Sequence, residues 1–137
     1  MATTTTEKQG AIGIIRLDHP PVNALAHGLR VSLLANFQAF AADPTVKAIV
    51  ITGGPRAFSA GADITEFKSG RREPLLWDVI EVIEASAKPV VAAVNGLALG
   101  GGLEIALGCH YRVIGRDVRQ LGLPEVKIGI ILLMCYV

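Results

Sequence analysis

Cysteine is scarce in this chain: two of 137 residues, Cys109 and Cys135, with no CxxC spacing and no ladder of paired half-cystines. That excludes a small disulfide-stapled scaffold and points to a reducing, cytoplasmic setting. Charge of one sign is also lacking. Thirteen basic residues against twelve acidic ones leave a formal charge of +1, without the lopsided balance expected of a chain that lives on nucleic acid or an anionic membrane. No targeting segment stands at the start, because residues 1–8 (MATTTTEK) have neither the apolar centre of a signal peptide nor the arginines of a transit peptide. They read as a loose end, and residues 1–10 as a flexible lead-in. One stretch, 89–109, has about the 20-residue length of a membrane span and is almost uncharged. It contains Asn95, Glu104 and five glycines. A carboxylate near the bilayer centre costs about 2.5–3.5 kcal/mol or more, and clustered glycines suit turns rather than a spanning helix. No membrane span is therefore expected.

Several chemistries are excluded by missing motifs. There is no GxGxxG between Asn95 and Glu104 and no GxxxxGK[ST] anywhere, which removes the dinucleotide and P-loop readings. Ser59 stands in AFSAG rather than GxSxG, and none of His19, His27 or His110 is marked as its base. No histidine lies at metal-ligand spacing, so no metal is expected.

What the sequence does contain is a repeating alternation. Residues 11–17 (AIGIIRL) read as a first strand. Residues 24–41 carry Leu25, Leu29, Leu33, Phe37 and Phe40 at threes and fours behind Asn23, a candidate N-cap, and read as an amphipathic helix ending near Asp43-Pro44. Residues 46–52 suit a strand buried on both faces of a parallel sheet. Residues 75–86 have helical spacing, 90–94 read as a third strand, 103–107 as a helix after three glycines, and 111–114 as extended again. With 51% hydrophobic and 18% charged residues, one α/β domain with a mostly parallel sheet is the expected class.

Such sheets bind ligands beyond the carboxyl ends of their strands, and two glycine-rich turns fall there: 58–64 (FSAGADI) and 95–102 (NGLALGGG). Small residues let a ligand approach the main chain, and a turn opening into a helix presents N–H groups to an anion or a developing oxyanion. The structural alternative is a tight turn and close helix–sheet packing. Two carboxylates stand apart from the solvated majority: Glu104, inside LGGGLEIALG, and Glu125, after Leu123-Pro124. Desolvation there would raise a carboxyl pKa into a useful range for acid–base work, although each could equally be paired with an arginine such as Arg112.

FSAGADI, AAVNGLALGGGLEIALGCHYR and LGLPEVKIGI, in this order, together with residues 21–25 (PVNAL), closely resemble the enoyl-CoA hydratase/isomerase (crotonase) family. The resemblance runs from about residue 14 to 130 and is strongest to the hydratase/isomerase domain that opens multifunctional fatty-acid β-oxidation enzymes. It implies ββα repeats forming a mostly parallel sheet flanked by helices. It also implies that the main-chain N–H groups of Ala62 and Gly101 polarise a thioester carbonyl, and that Glu104 and Glu125 grip the water that adds across a trans-2 double bond. The coenzyme A moiety would run along Ala60, Gly61, Ala62, Asp63 and Ile64, with Val22 to Ala24 as part of the wall. The thioester is then the substrate, no cofactor is required, and the same enolate would also serve double-bond isomerisation.

The resemblance stops after Gly129-Ile130, and residues 131–137 (ILLMCYV) diverge. Residues 11–130 therefore read as a partial crotonase-like domain, incomplete at its carboxyl end. Full-length relatives, often homo-oligomers, have further helices that cover the acyl pocket and build subunit contacts, so an uncovered apolar face is expected. Two readings follow: a chain with hydratase residues, and a catalytically inactive crotonase-like remnant or interaction module.

Overall fold

The computed structural model describes residues 2–123. Glu125, the divergent end and Cys135 lie outside the described residues. Among the described residues eight strands and four helices follow one another as β1 (Thr3–Gln9), β2 (Ile12–Asp18), α1 (His27–Ala42), β3 (Ala48–Thr52), β4 (Ala57–Ser59), α2 (Glu66–Ser69), α3 (Leu76–Glu84), β5 (Val90–Val94), β6 (Leu97–Leu99), α4 (Gly101–Gly108), β7 (Tyr111–Ile114) and β8 (Leu121–Gly122). The strands form two sheets. The larger has the order β1-β2-β3-β5-β7, antiparallel only between β1 and β2, and the smaller is a parallel β4-β6-β8. Strands β3 and β5 are each followed by a short strand of the second sheet and then by a helix, the ββα repeat that the resemblance implies, and β7 is likewise followed by the short β8.

The threonine-rich start is a strand, not a loose end. Threonine is β-branched and suits a pleated surface, and its hydroxyls are met by α1: Thr4 Oγ1 lies 2.6 Å from Ser32 Oγ and accepts a 2.6 Å bond from Asn36 Nδ2. Residues 46–52 also differ from expectation. Ile49 and Ile51 are fully buried against the core, but Ala48 and Val50 on the other face are only half-buried.

Helix α1 begins at His27, and Asn23 is not its N-cap. Asn23 sits at φ 54, a left-handed conformation that asparagine tolerates better than most residues. Its amide is used elsewhere: Oδ1 accepts from His19 N at 2.8 Å, and Nδ2 donates to Ala57 O and Phe58 O at 3.2 Å. The apolar periodicity of α1 holds, with Leu29, Leu33, Phe37 and Phe40 buried. Together with Ile15, Leu17, Ile49, Ile51, Ile80, Ile83, Val90 and Ala92 they make one core between α1, α3 and the large sheet. The far edge is different. Every residue of β7 is exposed, including Tyr111, Val113 and Ile114. Among the described residues no helix is long and apolar enough to cross a membrane; the 89–109 stretch divides into β5, β6 and α4.

Candidate active site

The first turn, after β4, is pinned to the segment that precedes α1. Ala60 N donates to Val22 O at 2.9 Å, Leu25 N donates to Gly61 O at 2.8 Å, and the fully buried Ser59 hydroxyl donates to Asn23 O at 2.7 Å while accepting from Gly61 N at 3.1 Å. Ser59 is therefore a brace for the turn. Val22 and Ala24 consequently flank residues 60–61, and His19 Nδ1 bonds Ala24 O at 2.8 Å to hold that wall in place. Further along, Asp63 Oδ1 accepts from Thr65 N at 3.0 Å and Thr65 Oγ1 at 2.7 Å, which holds its carboxyl below the ordinary range. Asp63 shapes the turn. Ala62 and Ile64 are exposed, Ile64 by 68%.

The second turn lies against the first. Strand β6 pairs with β4 in parallel, so Gly100 and Gly101 arrive beside Gly61 and Ala62. A methyl group placed on Gly101 would lie 3.9 Å from Ala62 N, and one placed on Gly61 would lie 3.2 Å from Gly101 N. The first distance keeps the two nitrogens within about 6.4 Å of each other, given ordinary bond lengths.

Both peptide planes are fixed by their carbonyls. In a trans peptide the C=O and the following N–H point in opposite directions. Gly61 O is held by Leu25 N–H, so Ala62 N–H is aimed away from Leu25; Gly100 O accepts Glu104 N–H at 3.0 Å in the first turn of α4, so Gly101 N–H points out of the helix start. Among the described residues neither N–H has an intrachain acceptor. Gly101 N–H also carries the partial positive charge of a helix N-terminus. Glu104 is on the same helix, three residues on, a spacing that puts it on the face of Gly101, and it is buried with 8% exposure. Leu76 and Leu25 close the apolar side, within 2.7 and 3.1 Å of a methyl placed on Gly101.

Arg112, a candidate partner for a buried glutamate on sequence grounds, sends its Nη1 to Ala106 O, Leu107 O and Cys109 O, capping the end of α4. His110 accepts from Val90 N and bonds Glu84 O, and His27 bonds Glu73 O, so all three histidines are engaged with backbone. Burial pushes the Cys109 thiol up to about 12, which makes it unreactive. Among the described residues no three His, Cys, Asp or Glu side chains are grouped to hold a metal ion.

The sequence profile of the family described as enoyl-CoA hydratase/isomerase matches residues 7–137. The chain belongs to the enoyl-CoA hydratase/isomerase family. It is 47% identical over 127 residues to the peroxisomal bifunctional enzyme of Homo sapiens, covering 92% of this chain and 17% of that one. It is 43% identical over 139 residues to the glyoxysomal fatty acid beta-oxidation multifunctional protein MFP-a of Brassica napus, covering 93% and 19%. A probable enoyl-CoA hydratase of Bacillus subtilis (strain 168) is 41% identical over 127 residues, with 88% of this chain and 49% of that one covered. Among solved structures, the enoyl-CoA hydratase from Thermoplasma volcanium GSS1 superposes with a TM-score of 0.84 at 32% identity, over 95% of this chain and 54% of that one. Pseudomonas aeruginosa DspI gives 0.87 at 34% over 95% and 56%. The chain thus spans under a fifth of its multifunctional relatives and about half of these hydratase-sized ones.

Asn23, Leu25 and Ser59 are struts of the site, a role that no sequence motif marks. Their signal is faint, since each acts through the main chain of a neighbour.

Proposed function

We propose that the chain performs acyl-CoA thioester chemistry, hydrating the trans-2 double bond of an enoyl-CoA to a 3-hydroxyacyl-CoA in fatty-acid β-oxidation. The observation that carries this reading is the pair of fixed peptide planes, with Ala62 N–H and Gly101 N–H on facing turns and their carbonyls already engaged. In this reading both donate to the thioester oxygen. As water adds at C3, electrons move onto that oxygen, and donors fixed in advance stabilise the enolate without reorganising.

Glu104 and Glu125 are the proton carriers. One carboxylate takes the proton of the attacking water, and the other, protonated, delivers a proton to C2 as the enolate collapses, so that one water is added in sum. Coenzyme A runs along residues 60–64 past Val22 and Ala24, with Asp63 as a turn former. The same enolate, with a single glutamate moving a proton between C4 and C2, serves double-bond isomerisation. The first relatives are named for peroxisomes and glyoxysomes, so the cytoplasmic setting suggested by the cysteines stays a proposal beside theirs.

The test is loss of the conjugated enoyl absorbance of trans-2-butenoyl-CoA in the presence of the chain and of its Glu104→Gln and Glu125→Gln variants. Each variant is expected to lose about 10²–10⁴-fold in turnover, the range for general acid–base catalysis, with little change in thioester affinity. Folded parent chain with no hydration, or variants with parental turnover, would sink the reading.

A further inference from the structure

The Arg30 guanidinium, 6% exposed on α1, makes five hydrogen bonds. Nε donates to Pro74 O at 2.8 Å; Nη1 donates to Leu25 O at 2.6 Å and Glu66 Oε2 at 2.8 Å; Nη2 donates to Glu66 Oε1 and Arg72 O, both at 3.0 Å. A guanidinium has five N–H donors in a rigid fork, and here the bonds match them in number. Neutralising Glu66 would occupy two. The other three go to backbone carbonyls from two separate segments, 25 and 72–74.

These partners bracket Ala62. Upstream, Leu25, whose carbonyl Arg30 grips, gives its own N–H to Gly61 O, and that carbonyl belongs to the peptide that bears Ala62 N–H. Downstream, Glu66 opens α2 four residues after Ala62, and Asp63 and Thr65 close the turn between them. The stretch from 62 to 74 is otherwise mostly exposed, with Ala62 itself at the surface. A single buried cation therefore ties both ends of an exposed segment to α1.

We infer that Arg30 is a positioning residue for hydration, holding Ala62 N–H at the angle needed to polarise the thioester carbonyl; the inference rests on the hydratase reading. A displacement of about 1 Å in such a site can cost 10²-fold in rate, so the defect on loosening this brace belongs in the chemical step. Lysine preserves the charge but has three donors on a flexible stem and cannot form the fork. In a second variant, Arg30→Met with Glu66→Met, both charges leave together, which avoids stranding a buried carboxylate.

The experiment uses the full chain and trans-2-butenoyl-CoA labelled with ¹³C at C1. Isotope-edited infrared difference spectra give the carbonyl stretch of the bound thioester, and hydration kinetics give kcat and KM per folded molecule. In the parent, binding lowers the carbonyl stretch. In Arg30→Lys and in the double variant the stretch returns towards its value in solution, kcat falls by about 10–100-fold and KM changes little. Variants that only unfold more readily, with parental carbonyl stretch and parental kcat per folded molecule, would overturn the role of Arg30 and leave the hydratase reading standing. A parent chain that binds the thioester without lowering the stretch would overturn the hydratase reading, and this inference with it.

Discussion

At Gly61 the cost of a side chain within the site can be worked out. Its φ is 96, in the left-handed half of conformational space. An L-residue there costs about 1–2 kcal/mol before any contact is counted. A methyl group would stand 2.8 Å from Leu99 O and 3.2 Å from Gly101 N. The first is well inside normal carbon–oxygen contact, and both atoms belong to backbone, Leu99 in β6 and Gly101 at the start of α4, so neither can swing aside as a side chain would. Gly61→Ala must therefore push the two turns apart or rotate the Gly61–Ala62 peptide off Leu25. Either movement takes one donor from the thioester oxygen. Loss of one such donor is worth about 2.7–4 kcal/mol of transition-state stabilisation, a fall of 10²–10³ in kcat. The assay is hydration of trans-2-butenoyl-CoA per folded molecule, with folding checked by denaturant midpoint. Gly61→Val, with two more carbons at the same spot, should also abolish thioester binding. A folded Gly61→Ala chain with parental kcat would refute the reasoning, because the strained position would then have no connection to the chemistry.

The neighbouring glycines should separate packing from chemistry. A methyl on Gly102 would overlap Ser59 O, which is buried backbone, whereas one on Gly101 meets the side-chain tips of Leu76 and Leu25. Gly102→Ala should thus destabilise by about 1–3 kcal/mol or more, as an overpacked core does, and Gly101→Ala by less; equal urea midpoints for Gly102→Ala and parent would contradict this. At the far end of α1, the Thr45 hydroxyl and N–H, and then Lys8, hold the Asp43 carboxyl down from 3.8 to about 2. Because the folded value is the lower one, this stabilisation is complete above the unfolded value and is lost as pH falls from 3.8 to about 2. Thermal midpoints of the parent and Asp43→Asn should therefore converge over that interval, and a gap that stays constant down to pH 2 would count against the assignment.

Much of this fold is legible in the residues. Strand β7 lies where the short YRVI run follows a helix, and β5 where an uninterrupted VVAAV run follows a proline, because β-branched and aromatic residues favour extended backbone. The second sheet was not legible from periodicity. Strands β4 and β6 have three residues each, too few to show a period, and both sit inside stretches whose glycines mark them as turns. They exist because consecutive repeats stack: Thr52 Oγ1 donates to Ala93 O, and Asn95 Nδ2 to Gly53 O, tying the corners of neighbouring repeats together. That is a tertiary fact. The start of α1 was misplaced for a related reason. Ala24 and Leu25 have good helix propensity, but Leu25 N–H is committed to Gly61 O, and that long-range bond outweighs a local preference of a few tenths of a kcal/mol. Arg30 is not legible in the sequence, because an arginine beside the apolar stripe of an amphipathic helix reads as its solvated edge, and nothing local marks the four carbonyl and carboxylate partners that bury it.

Main-chain donors pose a particular problem for inference from sequence, since every residue but proline has an N–H and no side chain advertises which ones act. Selection has to come from what the carbonyl of the same peptide is doing. At Gly61 the carbonyl is taken by Leu25 from another segment; at Gly100 it is taken by Glu104 one helical turn on. The two N–H groups are therefore oriented by different means, one by a long-range contact and the other by local helix geometry. Their robustness should differ accordingly. Gly101 N–H keeps its direction as long as α4 is wound, whereas Ala62 N–H depends on residues 22–25 staying against the turn and, through Leu25, on Arg30. A substitution that loosens the brace should silence one donor and leave the other intact, so its cost is bounded by the worth of a single donor. Losses well beyond about 10³-fold in a folded Arg30 variant would mean that the two turns move together, and that the site is one rigid unit rather than two independently oriented amides.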